Sequence, residues 1–318
     1  MNKIRLVLHI TLMSSFTFII SASDFVYLFS HGIYNDASLA YYYENVHTSN
    51  ELISTPKGLQ LTYKSGMQHV WDIQDAQDAT LWVIKQPLYT FNYPDAQNGF
   101  DRTQTSLGQD NEIRILANAY EKIKENKVIL MGMSRGATAI LTFLGTRNPE
   151  SVCAAIIESP FDSVLSMLDT HCGAFWLGFV PTILYTTPNL FFGKFDRFGI
   201  CPIKVISKIN TTIPILIIAS CKDTYVPVAN SAAIYNKFYE CGFTHVYFLL
   251  LDEGQHGYLL EDENEHIYLN TVHAFYKKYN LPYHAACAQQ GQELLAQCQP
   301  TPEILNNAIK NKKSFIRF

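Results

Sequence analysis

The feature that most limits the possible folds of this chain is an alternation between short apolar segments and segments with helical periodicity. Lys127–Gly132 and Ile213–Ser220 are almost entirely apolar in their interiors, which is typical of strands covered on both faces. Asp110–Glu125 and Val228–Tyr239 place apolar residues three or four positions apart, as one face of a helix does. The order predicts an α/β fold, with a mostly parallel sheet of about six strands and helices on both faces. The predicted strands are Phe25–Ser30, Leu88–Asn92, Lys127–Gly132, Val152–Glu158, Ile213–Ser220 and His245–Leu251.

The composition agrees with a large folded domain and excludes several classes of protein. Of the 318 residues, 48% are hydrophobic and only 16% are charged, which disfavours disorder and coiled coils. The net charge is −4 and no long basic stretch precedes the last dozen residues, so nucleic acid is not expected as a partner. The sequence contains none of the H-E-x-x-H, P-loop or G-x-G-x-x-G motifs, and we therefore predict no cofactor and no metal.

The first 23 residues have the layout of a secretory signal peptide. Lys3 and Arg5 precede a mostly apolar stretch of about 15 residues, and small residues follow up to Ser23. We predict cleavage near Ser23 and a secreted or periplasmic protein. An uncleaved anchor and a first strand are the alternatives, although the stretch is shorter than the roughly 20 residues that span a bilayer.

Two further segments interrupt or extend the predicted domain of residues 24–280. Residues 160–212 are rich in aromatic residues and contain no clear strand, and a structureless loop of this length is improbable. We predict a helical cap insertion, either as an extra core layer or as a wall around an apolar substrate site. Residues 281–318 are predicted to form a C-terminal helical extension and a frayed basic tail.

The seven cysteines show no metal-binding spacing. In an exported protein, Cys172 with Cys201 and Cys287 with Cys298 are the first candidates for disulfides. The alternative is that most of the cysteines are buried apolar side chains.

The strongest chemical signal is Gly132-Met133-Ser134-Arg135-Gly136, between a predicted strand and a predicted helix. A serine there lies on a sharp strand-to-helix turn, and the flanking glycines avoid collisions with neighbouring backbone. The amino terminus of the helix also favours negative charge that develops at the serine. We therefore predict that Ser134 is a catalytic nucleophile, and a purely structural turn is the alternative.

A serine nucleophile needs an imidazole to take its proton and a carboxylate to orient that imidazole. Asp223 follows the predicted strand that ends at Ser220, and His256 follows the one that ends at Leu251. Because parallel strands bring their carboxyl ends to one edge of the sheet, both residues are predicted to lie there with Ser134. The order Ser134, Asp223, His256 is the one found in α/β-hydrolases.

An oxyanion hole requires two backbone amides near the nucleophile. We predict the amide of Arg135 as the first donor and that of Ile33 as the second, because Ile33 follows a strand that ends in His31-Gly32. His31 is expected to brace this loop, because His256 already serves as the base. The Arg135 side chain has two interpretations: a salt bridge to Glu158 or Asp162, or binding of a substrate carboxylate or phosphate.

These motifs together resemble the α/β-hydrolase superfamily over about residues 24–280. Ser159-Pro160-Phe161 and the segment Lys222–Pro227 resemble the alpha/beta-hydrolase-domain serine hydrolases. That branch includes depalmitoylases and lysophospholipid lipases and is close to prolyl oligopeptidases. The resemblance implies an α/β-hydrolase fold with a Ser-Asp-His triad.

The expected function is hydrolysis of a carboxylic ester or thioester through an acyl-enzyme on Ser134. The aromatic content of residues 160–212 favours an apolar acyl group, so the expected substrate is a small-molecule or lipid-like ester. Transient contact of the protein with a membrane surface is compatible with such a substrate. One alternative is a serine peptidase of prolyl oligopeptidase type, which would use the same residues. The other is a hydrolase-fold protein that binds without catalysis.

Overall fold

The structure, a computed structural model, describes residues 25–32, 39–40, 42–43, 54–55, 58–59, 82–85, 88–94, 105–167, 196, 198–261 and 263–316. The predicted signal peptide (residues 1–23) and the proposed amide donor Ile33 lie outside these residues, as does most of the predicted cap. Those predictions therefore remain predictions.

The centre of the described part is a seven-stranded sheet. Its strand order is β4-β5-β1-β6-β7-β8-β9, and every neighbouring pair is parallel except β4 with β5. Two short segments, β2 and β3, form a separate antiparallel hairpin. The strands are β1 Phe25–Ser30, β2 Ser54–Thr55, β3 Gly58–Leu59, β4 Trp82–Lys85, β5 Leu88–Thr90, β6 Lys127–Met133, β7 Val152–Glu158, β8 Ile215–Ser220 and β9 Val246–Leu251.

The six predicted strands are the six parallel strands of this sheet, which confirms the expected fold class. The strand β4, which forms an antiparallel edge next to β5, was not predicted. The predicted strand that begins at Leu88 ends at Thr90, two residues earlier than expected.

Helices lie on both faces of the sheet and create two hydrophobic cores. In β1, Val26 and Leu28 pack into one core while Tyr27 and Phe29 pack into the other, as the alternation of side chains along a strand requires. The first core includes residues of α1, α2, α4 and α8, and the second includes residues of α5 and α7. The helices are α1 Asp110–Glu121, α2 Arg135–Arg147, α3 Pro202–Val205, α4 Val228–Glu240, α5 Asn264–Lys278, α6 Ala285–Gln290, α7 Gln292–Gln297 and α8 Pro302–Lys310.

The C-terminal segment is packed against the domain up to residue 316. The carbonyl of Cys298 accepts a hydrogen bond from the Phe248 amide of the edge strand β9 at 2.6 Å. Leu305 of α8 is fully buried, and the Ser314 hydroxyl donates to the Leu250 carbonyl at 2.6 Å. The segment thus covers a sheet edge that would otherwise expose unpaired backbone groups.

The described cysteines are free thiols, so the candidate disulfide between Cys287 and Cys298 does not form. Both side chains are completely buried. Burial raises the pKa of the Cys287 thiol to about 11, as expected when a thiolate would have to form away from water. These two residues are buried apolar side chains, the alternative that the sequence left open. Cys201 is also a free thiol, which overturns its predicted disulfide with Cys172.

Candidate active site

Ser134 occupies a sharp turn between β6 and α2. Its backbone has a φ of 55° and a ψ of −118°, a strained conformation for a residue with a side chain. The Ser134 amide donates to the Glu158 carbonyl of β7 at 2.8 Å, which fixes the turn at the carboxyl edge of the sheet. Sequence and structure agree on this strand-turn-helix geometry.

The glycines on either side of Ser134 allow very close backbone contacts. A Cβ atom on Gly136 would lie 2.0 Å from the Ser30 carbonyl oxygen, and one on Gly132 would lie 2.8 Å from the Gly136 carbonyl carbon. Cβ atoms in proteins do not approach backbone so closely. The structure therefore shows the backbone collisions that the two glycines were expected to avoid.

Asp223 and His256 form a hydrogen-bonded pair at the same edge of the sheet. Asp223 Oδ2 lies 2.7 Å from His256 Nδ1, while Asp223 Oδ1 accepts the amides of Tyr225 at 2.9 Å and Val226 at 2.8 Å. The side chain of Asp223 is 1% exposed and that of His256 is 13% exposed. The carboxylate is thus held rigidly and favours the tautomer with a proton on Nδ1, which leaves Nε2 able to accept a proton.

The loop of His256 lies next to the turn of Ser134. A Cβ atom on Gly257 would lie 3.4 Å from the sulfur of Met133, the residue before Ser134. In the described part of the chain, no hydrogen bond joins the Ser134 hydroxyl to His256. Such contacts are often long in ligand-free enzymes and shorten when substrate binds. The structure therefore pairs two of the three predicted residues directly and places the loop of His256 beside the turn of the third.

The predicted oxyanion donors are described only in part. Arg135 is the first residue of α2, where amides have no acceptor within the helix. Ile33, the predicted second donor, lies outside the described residues. His31, which precedes it by two positions, is fully buried, and its pKa is lowered to about 3 by burial and then by the charge of Arg135. His31 is therefore neutral and braces the loop.

The Arg135 side chain is fully buried and has other partners than expected. Its guanidinium pairs with Glu112 at 3.7 Å and donates to the Thr105 hydroxyl at 3.1 Å and the Gly32 carbonyl at 3.0 Å. The predicted salt bridge to Glu158 or Asp162 is wrong, because the side chain extends toward the amino end of α1. Binding of a substrate anion by Arg135 is equally excluded, because no part of the side chain is accessible.

Glu158, at the end of β7, forms a buried polar cluster that the sequence analysis missed. Its carboxylate accepts hydrogen bonds from Tyr43 at 2.9 Å and from Tyr268. Burial raises its pKa from 4.5 to about 7, although both tyrosine hydroxyls and the charge of His256 act in the opposite direction. The only sequence signal was an acidic residue at the end of an otherwise apolar strand.

We expect Glu158 to make the stability of the fold depend on pH. Between about pH 4.5 and 7 the folded protein binds a proton on Glu158 that the unfolded chain has released, so the contribution of Glu158 to stability falls as the pH rises through this window. From below pH 4.5 to above pH 7, the full loss of this contribution corresponds to about 3 kcal/mol. Glu158→Gln should lose this contribution, while the lowered pKa values of buried His31 and His273 affect both proteins equally. Urea unfolding of both proteins at pH 5, 6, 7 and 8 tests the prediction. It would be contradicted if the free energy of unfolding changed with pH in the same way in both proteins.

The described residues contain no group of three or more His, Cys, Asp or Glu side chains arranged to hold a metal ion. Within the same ranges, no helix has both the length and the apolar content needed to cross a membrane.

Comparison with solved structures supports the fold. An esterase of Pyrococcus furiosus is similar over 80% of this chain and 82% of its own, with 16% sequence identity and a TM-score of 0.52. An acylaminoacyl peptidase of Pyrococcus horikoshii is similar over 61% of this chain, with 15% identity and a TM-score of 0.46. The match covers 32% of that peptidase, so the chain spans about a third of its length. No curated protein sequence matches the chain.

A family model, that of the prolyl oligopeptidase family, matches residues 111–281. These residues include Ser134, Asp223 and His256 and make up more than half of the chain. The chain therefore belongs to the prolyl oligopeptidase family of serine hydrolases and has the α/β-hydrolase fold.

Proposed function

We propose that this serine hydrolase cleaves a carboxylic ester or thioester with an apolar acyl group. The observation that carries the proposal is the Asp223–His256 hydrogen bond of 2.7 Å beside the strained turn of Ser134. This arrangement is suited to acyl transfer, because a fixed imidazole can remove the proton of a serine hydroxyl.

The proposed reaction has two halves. His256 Nε2 accepts the hydroxyl proton of Ser134 as Oγ attacks the carbonyl carbon, and the amides of Arg135 and Ile33 stabilise the oxyanion. The tetrahedral intermediate collapses when His256 transfers the proton to the departing alcohol or thiol. Water then attacks the acyl-enzyme, His256 takes a proton from it, and the acid is released as Ser134 recovers its proton.

Aromatic side chains near His256 support an apolar substrate. The ring of Tyr225 lies 5.7 Å from the imidazole of His256 and the residue is 62% exposed. Tyr258, two residues after His256, is 57% exposed. Exposed aromatic surface next to a reactive group is a natural contact for an acyl chain.

A second candidate function is peptide hydrolysis, which the family match favours. Prolyl oligopeptidases use the same types of catalytic residues, so the triad cannot distinguish between the two. The substrate must therefore be tested directly.

A comparison of substrates separates the two candidates. We expect kcat/KM for nitrophenyl esters with acyl chains of about 2 to 16 carbons to exceed that for proline-containing peptide amides by at least about 100-fold. Esters are intrinsically more reactive than amides. For each substrate, kcat/KM must therefore also be divided by the rate constant of its uncatalysed hydrolysis. A larger relative acceleration for the amides would contradict the esterase proposal.

Labelling by a fluorophosphonate probe tests the remaining alternative. The probe reacts with activated serines, and we expect the folded protein to be labelled on Ser134. Absence of labelling would favour a protein that binds without catalysis.

A further inference from the structure

Glu158 is a buried acid that lies next to the catalytic groups and has no part in the proposed reaction. Its backbone carbonyl accepts the amide of Ser134 at 2.8 Å, and it is paired with Met133 in the sheet. Paired residues of neighbouring parallel strands point to the same face, so the Glu158 carboxyl lies beside the Met133 side chain. The loop of His256 covers this face, because a Cβ atom on Gly257 would lie 3.4 Å from the sulfur of Met133.

The Glu158 carboxyl is held by two phenols. Tyr43 donates to Oε2 at 2.9 Å, and Tyr268 of α5 donates to Oε1. Each of these three residues is no more than 2% exposed, so water does not screen the carboxylate. The paired residues of the neighbouring strands β6 and β8 are Met133 and Ile218, which carry no charge.

His256 and Glu158 influence each other through their charges. Burial raises the pKa of Glu158 to about 7, while the hydrogen bonds from the two phenols and the charge of His256 act in the opposite direction. Because such an interaction is mutual, an ionised Glu158 in turn favours the protonated imidazole of His256. Burial raises the pKa values of Tyr268 and of its neighbour Tyr276 well above the ordinary value, so both phenols stay neutral.

We propose that Glu158 is a positioning residue that acts through His256, because its ionised carboxylate stabilises the imidazolium that forms when Ser134 attacks. The proton that leaves the Ser134 hydroxyl charges the imidazole in the transition state, and a buried carboxylate acts on that charge with little screening. Asp223, which lies 2.7 Å from the imidazole, supplies one negative charge, and Glu158 supplies a second. At pH values well below 7 the Glu158 carboxyl is protonated and gives no such support.

A comparison of wild type with Glu158→Gln across pH tests this role. Glutamine has nearly the same shape and can still form hydrogen bonds with both phenols, but it carries no charge at any pH. We expect both proteins to react with the fluorophosphonate, and to hydrolyse nitrophenyl butyrate, at about the same rate at pH 5.5. At pH 8.5 wild type should be about threefold to tenfold faster. A ratio of rates that stays constant between these pH values would overturn the inference.

A merely structural role predicts the opposite trend. The contribution of Glu158 to stability falls as the pH rises, so a loss of folded protein would lower the activity of wild type relative to Glu158→Gln at pH 8.5. Leu305→Ala is the control for stability, because it weakens the fold in α8 without changing a charge. Well below its melting temperature, its rate relative to wild type should not change with pH.

Tyr268→Phe is a second variant, and it keeps the carboxyl. The Tyr268 hydroxyl donates to Glu158 and holds the pKa of that carboxyl down, so its loss should move the rise in activity to higher pH. We expect the pH of half-maximal labelling by the fluorophosphonate to increase by about half to one unit. An unshifted profile in a folded Tyr268→Phe protein would contradict the proposal even if Glu158→Gln did not fold.

The inference rests on the proposed function, but the two can fail separately. If wild type hydrolyses no ester and is not labelled by the fluorophosphonate, the proposed function fails. If wild type is labelled and active but Glu158→Gln follows it at every pH, only the role of Glu158 fails.

Discussion

Replacing Ser134 by alanine is expected to lower kcat for the preferred ester by about 10⁵- to 10⁶-fold. The hydroxyl is the attacking atom in the proposed mechanism, and no other group can form the acyl-enzyme once it is removed. KM should change only a few-fold, since the remaining surfaces still bind the substrate. Alanine has the same backbone cost as serine at a φ of 55°, so circular dichroism and the melting temperature should remain close to wild type.

Ser159 is a matched control for this substitution. It also follows a parallel strand at the same edge of the sheet, has a positive φ of 43° and is buried. Ser159→Ala removes an identical group from the neighbouring strand end, and we expect kcat within about tenfold of wild type because no catalytic step requires it. Retention of more than a few percent of wild-type kcat by Ser134→Ala would refute Ser134 as the nucleophile.

The strands and the Asp223–His256 pair could be predicted because each is indicated by a short stretch of the sequence. Apolar β-branched runs identify β6 and β8, and a polar residue in the loop that follows a parallel strand lies at the carboxyl edge. Once the strands are known to be parallel, Asp223 and His256 must approach each other, as their hydrogen bond shows. No precise side-chain packing was needed for that prediction.

The partners of Arg135 and Glu158 could not be predicted in the same way. Both residues lie near each other at the ends of β6 and β7, so an ion pair between them was reasonable. Instead, Glu158 is bound by Tyr43 and Tyr268, more than 100 positions away in the sequence. Arg135 reaches Glu112 because α1 packs beside α2. Such pairings depend on helix orientation and rotamers, which a linear pattern does not contain.

The C-terminal segment shows a related limit. Lys310, Lys312 and Lys313 are exposed, yet Leu305 and Ala308 before them lie three positions apart on the buried side of α8. A single helical turn of apolar residues is a weak signal in the sequence. Such a turn packs against the domain only where the domain offers a sheet edge to cover. The sequence alone did not show that β9 is such an edge.

The second large effect is expected from Gly136→Ala, which should destabilise the fold by more than about 4 kcal/mol. The new methyl group would lie 2.0 Å from the Ser30 oxygen and 2.8 Å from the His31 oxygen, both of which belong to backbone. In an isolated helix, alanine would instead be favoured over glycine by about 1 kcal/mol. The collision outweighs this preference, because β1 would have to move away from α2.

Gly242→Ala provides the contrast for this experiment. Gly242 has a φ of +78°, but no atom of the described residues lies within 4 Å of the position that a methyl group would take, so its substitution should cost only about 1 kcal/mol of backbone strain. Urea unfolding of both variants beside wild type measures the difference. The backbone atoms that the new methyl group would hit belong to the strand that leads into the His31-Gly32 loop. Any movement that relieves the collision must therefore displace the proposed oxyanion loop. Gly136→Ala molecules that still fold should consequently lose activity as well. A Gly136→Ala protein as stable as Gly242→Ala would show that β1 and α2 are not in close contact.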